Sequence, residues 1–170
     1  NHFRTKSFRQ LVSNFRNEYI ARGINESDLK SNPIDQFERW FNEAVENKLM
    51  EPNAMHLSTA LPDGKPSGRV LLLKGFDEKG FVFFTNYNSA KSTQLDYNAN
   101  CCLLFFWKEL ERQVRINGIA EKITAKESIE YFDSRPHGSK LGAWASPQSM
   151  VVAGKALLVE AKAYVEEAVD

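Results

Sequence analysis

Three cations stand at the ends of apolar strands that would otherwise want none. Arg69 and Lys74 bracket the apolar run Val70, Leu71, Leu72 and Leu73, and Lys91 follows Phe84-Thr85-Asn86 and Ser89. A cation beside a buried strand needs an anion. Phosphate meets that need, because a guanidinium or ammonium with hydroxyl support offers it charge-assisted hydrogen bonds. A second cluster, Arg135, Ser139 and Lys140 between Ser134 and Trp144, surrounds a turn that would open a helix. The free backbone amides of that helix start would add to the attraction, so it reads as a second phosphate site.

Each of these residues has a plainer reading when taken alone. Arg69 and Lys74 would be snorkelling surface side chains, Lys91 a solvated helix residue, Gln113 a polar outward strand position, Tyr131 a core aromatic and Ser149 a cap. Arg69 and Lys74 differ in strand parity, so in a regular strand they face opposite sides, which suits two ligand sites better than one. Trp40, Trp107 and Trp144 read as packing residues. His2, His56 and His137 are too scattered for metal-ligand spacing, and there is no Cys-x-x-Cys, His-Glu-x-x-His, Gly-x-Ser-x-Gly or Walker pattern.

The elements that must position the cations follow from periodicity. Phe8, Leu11, Val12, Phe15 and Tyr19 recur at helical spacing up to Gly23, and Asn32-Pro33 opens a second helix with Phe37, Trp40, Phe41, Ala44 and Val45 on one face. From Ala54 the period becomes two: Met55, Leu57, Thr59 and Leu61 alternate with His56, Ser58 and Ala60 before a turn at Pro62 to Lys65. The cation-bearing segment, Arg69 to Asn86, reads as two strands joined by a turn from Asp77 to Gly80. A short helix is expected from Ser89 to Tyr97. Cys101 to Trp107 reads as a strand buried on both faces, and Arg112 to Ile123 as its partner, with Gln113, Arg115 and Asn117 opposite Val114 and Ile116. Thr124 to Glu127 is a capping box that starts a helix through Tyr131 and Phe132, which Pro136 must end. Short strands joined by tight turns predict an α+β, mainly antiparallel β fold: a sheet closing as a barrel, with peripheral helices.

The 170 residues suffice for one substantial core, so one domain is expected. The 22 basic and 22 acidic residues cancel without long runs of either sign, which argues against nucleic acid or a membrane surface as partner and favours small molecules. The adjacent Cys101 and Cys102 would point to opposite faces of a strand, so they read as reduced core residues. A polar start and the lack of a long apolar run point to a cytoplasmic protein.

The motifs together resemble one family. Arg69-Val-Leu-Leu-Leu-Lys74, Phe84-Thr85-Asn86, Arg112-Gln113-Val114, Tyr131-Phe132-Asp133-Ser134-Arg135-Pro136 and Gly142-Ala143-Trp144-Ala145-Ser146-Pro147-Gln148-Ser149 closely resemble the pyridoxine (pyridoxamine) 5'-phosphate oxidases. The resemblance runs from about the first helix to Ser149. It implies a split β-barrel of the FMN-binding type, with helices and lid over residues 1–50, barrel strands over 54–123 and a helical part over 124–170. It further implies a homodimer with flavin at the subunit interface, and oxidation of a phosphorylated B6 vitamer to pyridoxal 5'-phosphate, with oxygen accepting the electrons and hydrogen peroxide as product.

By the same resemblance, Arg69, Val70, Leu71, Leu72, Phe84, Thr85, Lys91, Gln113, Gln148 and Ser149 would contact FMN, with Arg69 and Lys91 near its phosphate. Lys74, Tyr131, Arg135 and Ser139 would hold the substrate phosphate, and Arg16 and Tyr19 match a lid element. No side chain is assigned as catalytic, because the hydride acceptor is the flavin. Ala90 stands where many relatives carry a second cation. The family's C-terminal Trp-Gly-Gly and Arg-Leu-His-Asp-Arg elements are absent, so the 170 residues are either a piece of a longer polypeptide or a chain lacking part of that site. Two other classes stay open: a flavin or pyridoxal-phosphate binder without turnover, and a structural dimerisation domain. Arg135→Ala is expected to raise KM for the phosphorylated substrate by about tenfold or more while flavin content stays at the wild-type level. Unchanged steady-state kinetics in that variant would sink the substrate assignment.

Overall fold

The computed structural model describes residues 23–134. The expected first helix, with Arg16 and Tyr19, and the segment carrying Arg135, Ser139, Gln148 and Ser149 lie outside the described residues. The chain falls into two compact units. One contains residues 23–49 with Trp107–Arg112, and the other Met50–Phe106 with residues 113–134.

In the first unit, helix α1 spans Pro33–Glu46. It starts where the sequence predicts, because Asn32 Oδ1 accepts the Ile34 N–H at 2.8 Å and Pro33 occupies the first turn, where no amide donor is needed. Its apolar face buries Phe37 and Ala44. Phe37 and Phe41 both pack against Trp107, with ring centroids 6.0 and 6.3 Å away. The packing role expected of Trp107 is what the structure shows. Trp40 instead carries the Arg112 guanidinium on its ring, 4.8 Å from the centroid.

The second unit is organised by an antiparallel sheet of β1 (Ala54–Ala60), β2 (Pro66–Asp77), β3 (Gly80–Phe83), β4 (Asn100–Trp107) and β5 (Arg112–Ile119), in the order β3-β2-β1-β4-β5. Its outer strands are β3 and β5, so among the described residues the sheet stays open, as one half of a split barrel does. The turn between β1 and β2 is built from local chemistry. The Asp63 carboxylate accepts the Lys65 N–H at 3.1 Å, and Gly64 takes φ +82°, a left-handed conformation that suits glycine. The turn sets a register in which Leu57 faces Arg69 and Thr59 faces Ser67. The turn between β2 and β3 falls where expected: Asp77 Oδ1 accepts the N–H groups of Lys79 (2.8 Å) and Gly80 (3.2 Å).

The buried face carries Met55, Leu57, Leu73, Leu103 and Phe105. The alternation read in β1 holds, with Met55, Leu57 and Thr59 inward. The two-faced burial expected of β4 does not. Leu103 and Phe105 are buried, but Phe106 on the other face is 64% exposed. A continuous apolar run cannot reveal which of its faces a sheet leaves open, because both are equally apolar. Cys101 and Cys102 are free thiols, as expected, yet half-buried rather than core, since they lie near the start of the strand. The last strand is also shorter than predicted, ending at Ile119 rather than Ile123.

Helix α2 (Ala90–Tyr97) connects β3 to β4. Helix α3 (Ala125–Ser134) begins at the predicted capping box, where the Thr124 N–H and hydroxyl reach Glu127 Oε2 at 2.9 and 2.6 Å, and the Glu127 N–H returns to Thr124 Oγ1 at 3.3 Å. No helix among the described residues is long and apolar enough to cross a membrane. Phe105 is fully buried at the centre of the second unit. Phe105→Ala is expected to cost about 3–5 kcal/mol in urea unfolding. A loss below about 1 kcal/mol would mean that this face is not the core.

Candidate anion site on strand β2 and helix α2

The site begins with Arg69, half-buried on the face of β2 that also carries Ser67, Leu71 and Leu73. Its guanidinium reaches across β1. Nη1 donates to Thr59 Oγ1 at 2.7 Å and to the Leu57 carbonyl at 3.3 Å, and Nη2 donates to Ser67 Oγ at 2.6 Å and Gln94 Oε1 at 2.7 Å. Thr59 Oγ1 donates onward to Gln94 Oε1 at 2.6 Å, which ties α2 to the end of β1. All of these acceptors are neutral oxygens.

Lys91 comes from the first turn of α2 and is only 6% exposed. Its Nζ donates to Ser89 Oγ at 3.0 Å, and Ser89 Oγ lies 3.3 Å from Thr85 Oγ1. Ser89 is fully buried, and its hydroxyl is spent on these side chains rather than on capping α2. Burial is the larger cause that pushes the Lys91 pKa down, and the nearby charge of Arg69 pushes it further the same way. Burial also lowers the pKa of Arg69. Two desolvated cations that repel one another favour a shared anion, and adjacent hydroxyl groups supply the remaining donors. The cluster suits a phosphate monoester. A phosphate there would meet Lys91 as a compact charge with rotatable donors, and Arg69 as a fixed charge whose four terminal N–H groups are already directed to protein oxygens, leaving Nε–H.

The predicted residues separate accordingly. Arg69, Lys91 and Thr85 belong to one hydrogen-bonded neighbourhood, with Thr85 and the half-buried Phe84 just beyond the end of β3 rather than within the strand. Lys74 is exposed on the opposite parity of β2, as the difference in spacing implied, just where the pairing with β3 shifts register between Leu73 and Gly75. Val70 is 67% exposed, while Leu71 and Leu72 are half-buried. Gln113 is exposed on the outer strand β5. Tyr131 lies in α3, but its side chain is outside the described residues. The sequence reading missed Ser67 and Gln94 and gave Thr59 and Ser89 no role. Two signals pointed to them: Thr59 is the polar member of an otherwise apolar inward series, and Gln94 follows Lys91 by three positions on one helix. No cluster of His, Cys, Asp and Glu among the described residues is arranged to hold a metal.

Comparison with known proteins gives this neighbourhood a context. Residues 41–167 match the family model described as pyridoxamine 5'-phosphate oxidase. A protein of Crocosphaera subtropica called pyridoxine/pyridoxamine 5'-phosphate oxidase is 55% identical over 143 residues, covering 84% of this chain and 67% of that protein. One of the same name from Cupriavidus pinatubonensis is 54% identical over 147 residues, covering 86% and 69%. Among solved structures, PhzG from Burkholderia lata, in complex with tetrahydrophenazine-1-carboxylic acid, superposes with a TM-score of 0.83 at 26% identity, covering 88% of this chain and 75% of that one. A pyridoxamine 5'-phosphate oxidase-related, FMN binding protein of Nostoc punctiforme shares the fold with a TM-score of 0.59 at 17% identity, covering 77% and 73%.

The desolvation of Lys91 makes a prediction. Because its folded pKa lies below the unfolded value, the unfolded chain holds this proton more tightly. Stability from this group therefore rises as pH climbs from the lowered pKa toward 10.5. Lys91→Met should keep or raise the stability of the ligand-free protein, by about 1 kcal/mol, and flatten that alkaline rise. Inorganic phosphate should raise the Tm of the wild type and leave that of Lys91→Met unchanged. Equal protection of both proteins by phosphate would count against an anion site at Lys91.

Proposed function

Because the chain belongs to the pyridoxamine 5'-phosphate oxidase family, we propose that it oxidises pyridoxine 5'-phosphate or pyridoxamine 5'-phosphate to pyridoxal 5'-phosphate, using FMN and oxygen and releasing hydrogen peroxide. The observation that carries this reading is the pairing of the half-buried Arg69 with the buried Lys91 beside the Ser89 and Thr85 hydroxyls, a donor set suited to the FMN phosphate. FMN held there would supply the redox chemistry, as hydride acceptor for the substrate's 4' carbon with oxygen as the final electron acceptor.

The protein's own residues bind and orient. Arg69 and Lys91 would hold the cofactor phosphate, Val70 to Leu72 and Phe84-Thr85 would contact the cofactor, and Gln113, Gln148 and Ser149 would serve its polar edges. Lys74, Tyr131, Arg135 and Ser139 hold the substrate phosphate away from the reacting carbon, which fixes the approach of that carbon without any proton transfer by these groups. Arg16 and Tyr19 close over the bound substrate and exclude water.

A homodimer is part of the proposal. Val70 pairs with His56, and His56 with Leu104, across the outward face of the sheet, and Phe106 continues that row's parity along β4. Val70 and Phe106 are both largely exposed in the single chain, and a second copy covering them would shelter the flavin. A cytoplasmic setting, where phosphorylated vitamers and reduced thiols coexist, suits this chemistry.

The bound ligand of PhzG gives a second reading some support, since its name describes a carboxylic acid rather than a phosphate ester. Purified protein should be yellow and consume oxygen when given pyridoxamine 5'-phosphate, forming pyridoxal 5'-phosphate with a matching yield of peroxide. A yellow protein inert toward both phosphorylated vitamers would replace the oxidase reading with that of a flavin binder or of an enzyme for another ring system. A colourless protein unable to take up FMN would leave a structural role.

A further inference from the structure

The geometry points to Gln94 as the positioning residue that immobilises Arg69 while leaving its positive charge undiminished for a phosphate. This rests on the reading of the Arg69 and Lys91 cluster as the FMN phosphate site. Gln94 Oε1 is the point where three elements meet: it accepts from Arg69 Nη2 on β2 at 2.7 Å and from Thr59 Oγ1 on β1 at 2.6 Å, and it comes from α2 itself. A guanidinium has donors only, so the amide oxygen must face inward.

Size and hydrogen bonding do not by themselves call for glutamine here. A glutamate would place an acceptor at the same point, bond the same two partners, and bind the guanidinium more strongly. What a carboxylate would change is charge. It would neutralise Arg69, raise the proton affinity of Lys91 three positions earlier on the same helix, and repel an incoming phosphate. The other acceptors of Arg69, which are the Leu57 carbonyl, Thr59 Oγ1 and Ser67 Oγ, are neutral too. The guanidinium is thereby fixed by four hydrogen bonds without compensation of its charge. The same amide ties Lys91's helix to the strands, so Gln94 also holds the two cations in one frame.

The test compares binding of FMN and of riboflavin, which lacks the phosphate, to the flavin-stripped protein by fluorescence quenching, together with the Tm of each variant. Gln94→Glu should keep or raise the Tm of the ligand-free protein and leave riboflavin affinity unchanged, while FMN affinity falls by about tenfold or more. An unchanged ratio of FMN to riboflavin affinity, or an equal loss of both ligands, overturns the role of Gln94. Gln94→Met, neutral and of similar length, decides the matter if the glutamate variant does not fold. It removes the acceptor without adding charge and should lower the FMN to riboflavin ratio by about threefold, and no change in the ratio overturns the proposal. Arg69→Met serves as the control for the underlying reading. If it too leaves the ratio at the wild-type value, the phosphate binds elsewhere and the site assignment fails. If it lowers the ratio while Gln94→Glu does not, only the role of Gln94 fails.

Discussion

Holding two cations together away from water is the constraint on which the second unit of this protein depends. Lys91 is nearly inaccessible and Arg69 is half-buried, and each loses hydration that an ordinary surface lysine or arginine keeps. Neutral oxygens recover part of that loss. Hydroxyl groups from Thr59 and Ser67, the Leu57 carbonyl and the Gln94 amide accept from Arg69 without cancelling its charge, and the Ser89 hydroxyl accepts from Lys91. A cluster of this kind keeps a positive potential in a place of low dielectric, where it acts on an anion far more strongly than it would in water.

The surrounding architecture serves that arrangement. The turn at Asp63 and Gly64 sets the register that brings Thr59 beside Ser67 and Leu57 beside Arg69, and a one-residue slip would send Arg69 to the opposite face. The connection from β3 through α2 carries Ser89, Lys91 and Gln94 to the same strands. Arg112, in the first unit, shows the contrast. Its guanidinium meets the Glu43 carboxylate at 2.7 Å and lies over Trp40, and Glu43 in turn contacts Arg39 at 3.3 Å. There the charge is matched by a carboxylate and the residue serves packing. At Arg69 the bonded oxygens are all neutral and leave the charge unmatched, the feature on which the proposed phosphate site rests.

Much of the fold could be read from residue patterns. The cap at Asn32, the alternation of Met55, Leu57 and Thr59, the turn at Asp77 to Gly80 and the Thr124 capping box each rest on interactions among residues close in sequence, so local chemistry suffices to find them. The pairing of Arg69 with Lys91 was expected from the sequence for a different reason: cations at the ends of apolar strands are uncommon enough to call for a partner. The open outer face of β4, the half-buried cysteines and the early end of β5 were not legible. They depend on what covers each strand, and an apolar run looks the same whether one face or two are sheltered.

The sequence by itself therefore determined which residues carry charge, where strands and helices begin, that Arg69 and Lys74 face different sides, and which family's motifs the chain bears. Tertiary structure alone decided that Lys91 is buried rather than solvated, that Thr59, Ser67 and Gln94 complete the setting of Arg69, and that Lys74 and Gln113 stand apart from it. The physical reason is distance along the chain. Thr59 and Gln94 lie 35 positions apart, and only the pairing of β1 with β2 and the return of α2 across them make the two neighbours.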